Sequence, residues 1–295
     1  MKGCKRNPFS AFFFILTLFS NLLLAQTNSS QIDFFSPQNR LKFGDYLFRE
    51  QDYLRAINEY QEYLKIANND TARFKFAFAL AEMGRETEAL DNYKGLFFSS
   101  PLNEGARLEF YKINFQQGDF VRFRDLCTEK IYLPENSDLI IQKLNRFSYL
   151  LDDNLLPDSA AFVDVFDQGE KEQVLNFYMR KKFPPYKSPL TAAVLSAIIP
   201  GAGKIYTGNY GDGITAFLLT GILSFLAYDN FKADHDFRGW LFTGLAVMFY
   251  SGNVYGSVAS TQIYNVGIKF HFENEVKIYL NEKKYFLNKY DFLNR

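Results

Sequence analysis

A phrase of ten residues recurs at a fixed distance along this chain. Gln51-Asp-Tyr-Leu-Arg-Ala56-Ile-Asn-Glu-Tyr60 is answered by Gly84-Arg-Glu-Thr-Glu-Ala89-Leu-Asp-Asn-Tyr93, so Ala56 aligns with Ala89 and Tyr60 with Tyr93, 33 residues apart. A third, weaker copy opens at Gly118-Asp119-Phe120 and carries Phe123 where the small residue stood. A period of this length implies stacked supersecondary units, because one unit cannot bury its apolar face alone and about three must pack together. The residue types fit two antiparallel helices per unit. A small residue at Ala56 or Ala89 lets the helices approach, Tyr60 and Tyr93 fill the contact with the next unit, and Pro101 closes the second unit where a helix must stop.

Gly44, Tyr53, Ala56, Tyr60 and Leu64 in the first unit, Leu80, Gly84, Ala89, Tyr93 and Pro101 in the second, and Gly118 and Phe120 in the third together resemble the tetratricopeptide repeat, a 34-residue helix–turn–helix pattern. The resemblance spans residues 38–128. It departs from the pattern in the third unit, where Tyr111 takes the place of Gly44 and Phe123 that of the small residue. It implies a helical solenoid whose concave face holds a protein or peptide partner, with Gly44, Ala56, Tyr60, Gly84, Ala89, Tyr93 and Gly118 as scaffold. Residues 129–187 read as a helical connector. Leu139, Ile140, Leu144, Phe147 and Leu151 form one apolar stripe there.

Beyond the repeats the composition shifts. Residues 188–203, 213–228 and 239–268 carry no charge. The last is long enough for a hydrocarbon core, which needs about 20 residues. The expected spans run over about 211–228 and 239–260, joined by the charged loop 229–238, as a helical hairpin that satisfies its backbone hydrogen bonds internally. Residues 188–200 are apolar but too short to cross and read as interfacial or re-entrant. The expected fold class is therefore all-α: a tetratricopeptide-like solenoid followed by a transmembrane helical hairpin, then an amphipathic tail over 266–295.

The stretch Pro200-Gly201-Ala202-Gly203-Lys204-Ile205-Tyr206-Thr207-Gly208 fails as a phosphate-binding loop, since Ile198 stands where the first Gly belongs and Ile205 follows the Lys. It resembles instead the Pro-Gly-x-Gly-x-x-Tyr-x-Gly motif of bacterial two-helix membrane domains, a likeness that continues to Tyr264-Asn265 and marks Pro200, Gly201, Gly203, Tyr206, Gly208, Gly252, Asn253 and Gly256. Gly252, Gly256 and Ser260 recur every four residues and predict a small-residue seam against the first span. Asn253 near that seam suggests a hydrogen bond to Thr220 or another hydroxyl of the first span.

At the N-terminus Lys2, Lys5 and Arg6 precede the apolar run Phe9–Ala25, the plan of a secretory signal peptide cleaved after Ala25. That places the repeats outside the cytoplasm, in the periplasm of a bacterial envelope with the hairpin in the inner membrane. The basic cluster Arg180, Lys181, Lys182 and Lys187 opposes this orientation by the positive-inside rule and reads as a contact for anionic lipid heads.

Thirty-three basic and 33 acidic residues balance to zero net charge, which argues against a nucleic-acid partner. Two histidines, His235 and His271, supply neither a triad nor a usual metal site, so no catalytic residue, cofactor or metal is expected. Cys127 reads as a structural thiol. The function expected is a membrane-anchored interaction scaffold. The alternative is a membrane-assembly or transport component whose hairpin is the working part.

Overall fold

The computed structural model describes residue 33 and residues 35–153, 156–286 and 290–294. The expected signal peptide lies outside them. The described residues form thirteen α-helices and one 3₁₀ turn, with no strand among them, so the expected all-α class holds. They divide into two compact units, one of residues 1–102 with 290–295 and one of residues 103–289.

The first unit contains α1 (Pro37–Arg49), α2 (Tyr53–Leu64), α3 (Asp70–Glu82) and α4 (Glu86–Lys94). The turns inside its two helix pairs are built alike. Gln51 and Gly84 adopt positive φ, at 59° and 73°. The following amides of Asp52 and Arg85 donate back to the carbonyls of Leu47 and Leu80 at 2.9 and 2.8 Å, which closes each helix with a left-handed cap. Asp52 then caps α2 by accepting from the Arg55 amide. Gln51 accepts the strain that Gly84 avoids, so the recurring conformation belongs to the turn and not only to its glycine.

Ala56, Tyr60, Ala89 and Tyr93 are all fully buried. Gly44 faces Tyr60 so closely that a Cβ would lie 3.1 Å from the ring. The Tyr60 hydroxyl donates to Asp45 at 2.8 Å, and Lys75 of α3 donates to the same carboxylate oxygen at 2.8 Å. One carboxylate thus ties α1 to α2 and α3. Phe74 sits at the centre of the unit, edge-on to Tyr93, Tyr290 and Phe292 with ring centroids 5.1 Å away in each case. The 3₁₀ turn Asp291–Asn294 therefore belongs to this core.

The second unit begins with α5 (Asn103–Gln116), α6 (Phe120–Thr128) and α7 (Asp138–Leu151). Gly118 turns the chain at φ 78° between α5 and α6, and Asp119 caps α6 through the Arg122 amide. The two departures from the repeat pattern are coupled here. Tyr111 and Phe123 stack edge-on at 6.1 Å, both fully buried, and the Tyr111 hydroxyl donates to the carbonyls of Leu126 and Ile131. Aromatic contact replaces close helix approach.

The unit continues through α8 (Ser159–Val163), α9 (Gln168–Lys182), α10 (Pro189–Ile198), α11 (Ala202–Tyr206), α12 (Tyr210–Lys232) and α13 (Asp236–Glu282). Helix α13 has 47 residues, about 70 Å at 1.5 Å per residue. It passes Lys269 without a break. Its C-terminal half buries Phe272 and Tyr279 against Phe177 of α9, at 6.2 and 5.5 Å between rings, and Tyr279 meets Phe147 of α7 at 5.8 Å. The aromatics that suggested a tail begin as the last turns of this rod.

Candidate functional site

Helices α10 to α13 invert the usual distribution of side chains. Ser196, Ser257, Thr261, Thr207, Thr220 and Asn253 are buried, whereas Phe217, Leu218, Phe225, Trp240, Met248 and Tyr255 are exposed. Among the described residues α12 is the helix long and apolar enough to cross a membrane, and only 17% of its most apolar stretch is buried. The apolar half of α13 was expected to match it, but Thr243, Ser251, Asn253, Ser257 and Ser260 dilute its hydropathy.

The Pro-Gly motif makes the tightest packing here. Ile199 is extended, as the residue before Pro200 must be, and ends α10. Gly201 then takes φ 89°, and a Cβ on it would collide with the Gly213 carbonyl. A Cβ on Gly203 would collide with the Ala192 carbonyl and lie 2.7 Å from Ser196 Oγ. Glycine is required at both positions, which brings α11 onto α10 and the start of α12. Gly208 turns the chain into α12 at φ 85°, where Asn209 donates from its amide to the Lys204 carbonyl.

Hydroxyls fill the contact. The Gly203 amide donates to Ser196 Oγ at 2.9 Å, which lies 2.6 Å from Ser257 Oγ. Thr207 and Ser260 hydroxyls lie 2.7 Å apart. Asn265 clamps the backbone of Lys187, accepting from its amide and donating to its carbonyl, both at 2.9 Å. The Lys187 ammonium donates to the Tyr206 carbonyl at 2.6 Å and lies 4.2 Å from the Tyr264 ring centroid.

The small-residue seam faces other partners than expected. Gly256 lies under the Lys204 side chain, Ser260 meets Thr207, and Gly252 opens onto free space. The face that approaches α10 carries Ser257, one turn after Asn253, a continuation at four-residue spacing that was visible in the sequence but unused. The Asn253–Thr220 hydrogen bond is not made. The Asn253 carboxamide and Thr220 hydroxyl have no hydrogen-bond partner, although both are buried. Both line a cavity of about 480 Å³ with Lys204, Asp212, Leu219 and Phe249. A second groove, of about 360 Å³, also reaches Thr220.

A larger cavity, of about 670 Å³, lies beside the basic cluster and takes in Asp153, Arg180, Lys181, Lys182, Lys269 and Glu275. Its charges are largely matched. Arg180 pairs with Glu275, and Lys269 pairs with Asp153 at 2.7 Å. The hydrogen bond from Lys269 holds the Asp153 carboxyl below its ordinary range, and that from Arg180 does the same for Glu275. Burial lowers Lys181, against the pull of Asp153. Half-buried Cys127 is pushed up to about 12 by burial, with Asp138 adding to it, so the thiol is a weak nucleophile. Among the described residues no group of three His, Cys, Asp or Glu is placed to hold a metal.

No family model matches the chain, and no solved structure matches it. A stretch of 83 residues, 27% of the chain, is 35% identical to the uncharacterized protein MJ1516 of Methanocaldococcus jannaschii and covers 80% of that protein. By that identity and coverage the chain belongs to the family of MJ1516.

Proposed function

We propose that this protein is a membrane-anchored, non-catalytic scaffold of the bacterial cell envelope. In this reading α12 and the first half of α13 cross a bilayer as a hairpin, and α10 with α11 lies against it within the membrane. The tetratricopeptide-like pairs over 38–128 hold a protein or peptide partner. A signal peptide over 1–25 exports them to the periplasmic side of the inner membrane.

One observation carries the membrane part: large apolar side chains point outward from α12 and α13 while serines, threonines and an asparagine point inward. In water that arrangement exposes apolar surface at roughly 25 cal/mol per Å². In lipid it costs nothing, and small polar residues are what membrane helices use to pack together. The partner-binding part rests on the repeat resemblance and on the shared turn geometry at Gln51, Gly84 and Gly118.

The test is fractionation of cells expressing the full chain, followed by alkaline carbonate washing. The chain should stay with the membrane pellet, and protease added to spheroplasts should remove the repeats. A carbonate-soluble chain overturns the anchor, and protected repeats overturn the orientation. Crosslinking in cells lacking residues 38–128 should lose the captured partner. Capture that survives the deletion favours the second reading, a membrane-assembly or transport component acting through the hairpin, for which the polar cavity at Asn253 is the supporting observation.

A further inference from the structure

Asn253 is 4% exposed, and neither atom of its carboxamide has a hydrogen-bond partner; the neighbouring Thr220 hydroxyl is buried and equally unpartnered. A buried polar group left without a partner forfeits its hydration for nothing in return. Here two such groups line one cavity of about 480 Å³. Lys204 and Asp212 line the same cavity and form no ion pair with each other or with another described residue; Asp212 is held through one carboxylate oxygen by the Asn209 side chain at 2.8 Å. The remaining wall is mostly apolar, formed by Ala216, Leu219, Met248 and Phe249 with Thr215, whose hydroxyl is spent on the Gly211 carbonyl; Met248 and Phe249 are also exposed on the outer surface.

These features are ordered along the helix. Asp212 lies in the first turn of α12, and Thr220 lies eight residues further on, about 12 Å along the axis. An unpaired cation and an unpaired anion therefore stand at one end. Uncharged hydrogen-bonding groups lie deeper, and an apolar wall opens outward beside them. We infer that this cavity binds one phospholipid with a zwitterionic head carrying a primary ammonium: phosphate on Lys204, ammonium on Asp212, ester oxygens on Asn253 and Thr220, acyl chains along Leu219, Met248 and Phe249. A purely anionic head would leave Asp212 facing like charge. A choline head would offer that carboxylate no N–H donor. The inference rests on the membrane reading above.

Gly252 provides a clean block. It lines the cavity, and a Cβ there meets nothing within 4 Å, so Gly252→Leu grows into the cavity from an open position and replaces none of the polar groups. The full chain, purified in mild detergent and stripped of lipid, is offered an equal mixture of phosphatidylethanolamine, phosphatidylglycerol and phosphatidylcholine with identical acyl chains. Lipid retained per chain is read by native mass spectrometry.

The wild type should retain one phosphatidylethanolamine, about tenfold over the other two. Gly252→Leu and Lys204→Gln should each cut retention about tenfold, and Asp212→Asn should erase the preference for ethanolamine over choline. Equal retention of the three lipids, a preference for phosphatidylglycerol, or a Gly252→Leu chain that binds as well as wild type overturns the inference. So does displacement of the lipid by water-soluble glycerophosphoethanolamine, which would make the ligand a free head group. A chain that resists carbonate washing but shows no lipid preference sinks this inference alone. A chain that carbonate releases sinks the membrane reading with it.

Discussion

The interior of the first unit and the interior of α10 to α13 are built on opposite principles. In the first, Phe74, Tyr60, Tyr93 and Leu80 are buried, and the surface charges Arg55, Glu62, Lys65 and Glu88 pair with partners three residues away. In the second, glycine, serine and threonine occupy the contacts, and the large residues face outward. Both are helix pairs closed by left-handed turns, at Gly84 and at Asp234, whose φ is 58°. Secondary structure and turn chemistry therefore do not separate the two regions. On the membrane reading proposed above, the difference lies in what each interior must exclude. A water-soluble core gains from removing apolar area from water. Helices already in lipid gain nothing that way and rely on close approach and hydrogen bonds.

The contrast can be broken most severely at the glycines. Gly203→Ala and Gly201→Ala should cost more than ~3 kcal/mol each, because the obstacle is backbone carbonyl oxygen and not a movable side chain. Protease resistance of the membrane-extracted chain should fall sharply in both, while Gly208→Ala, with free space around its Cβ, suffers only its strained φ.

Next in size is Tyr60→Ala, expected to cost about 3–5 kcal/mol of unfolding free energy for the first unit. Phe225→Ala, an equally large truncation on the exposed face of α12, should change helix packing by less than about 1 kcal/mol. Denaturant titration of the detergent-solubilised chain separates the two, and equal losses would erase the distinction between the interiors.

Asn253→Leu comes third. Removing an unpartnered buried carboxamide should leave stability unchanged or raise it by about 1–2 kcal/mol. A marked loss of thermal stability would instead place a structural hydrogen bond there.

The smallest effect concerns pH. Asp153 and Glu275 are held below their ordinary ranges by Lys269 and Arg180, so their contribution is present above the unfolded carboxylate range and is lost as pH falls through the lowered values. Both groups are substantially exposed, so the acid-side loss should stay within about 1 kcal/mol. Asp153→Asn and Glu275→Gln should flatten the melting temperature between pH 5 and pH 2, and a curve unchanged by both would remove these pairs from the account.

Much of the local structure was legible residue by residue. The 33-residue recurrence located α2 and α4, and the structure adds that Asp52 and Asp119, residue types suited to helix starts, cap their helices. Gln51 gave no such signal, because nothing in an isolated glutamine indicates a positive φ. The end of α13 was equally hidden. A change from apolar to charged and aromatic residues at Lys269 looks like a boundary, yet no proline or glycine stops the helix for more than ten further residues. Within the site, the motif glycines were visible, whereas Ser196, Ser257 and the clamp of Asn265 on Lys187 were not, since each joins residues more than 60 positions apart.

By itself the sequence determined where helices form and how they turn, because hydrogen bonds, capping side chains and left-handed residues act within one turn of the chain. Only the tertiary structure decided which face of α13 meets α10 and α11, and so left Asn253 and Thr220 around an open cavity instead of bonded to one another. That choice rests on contacts such as Ser196 with Ser257 and Thr207 with Ser260, which join residues more than 50 positions apart, and no local pattern encodes them.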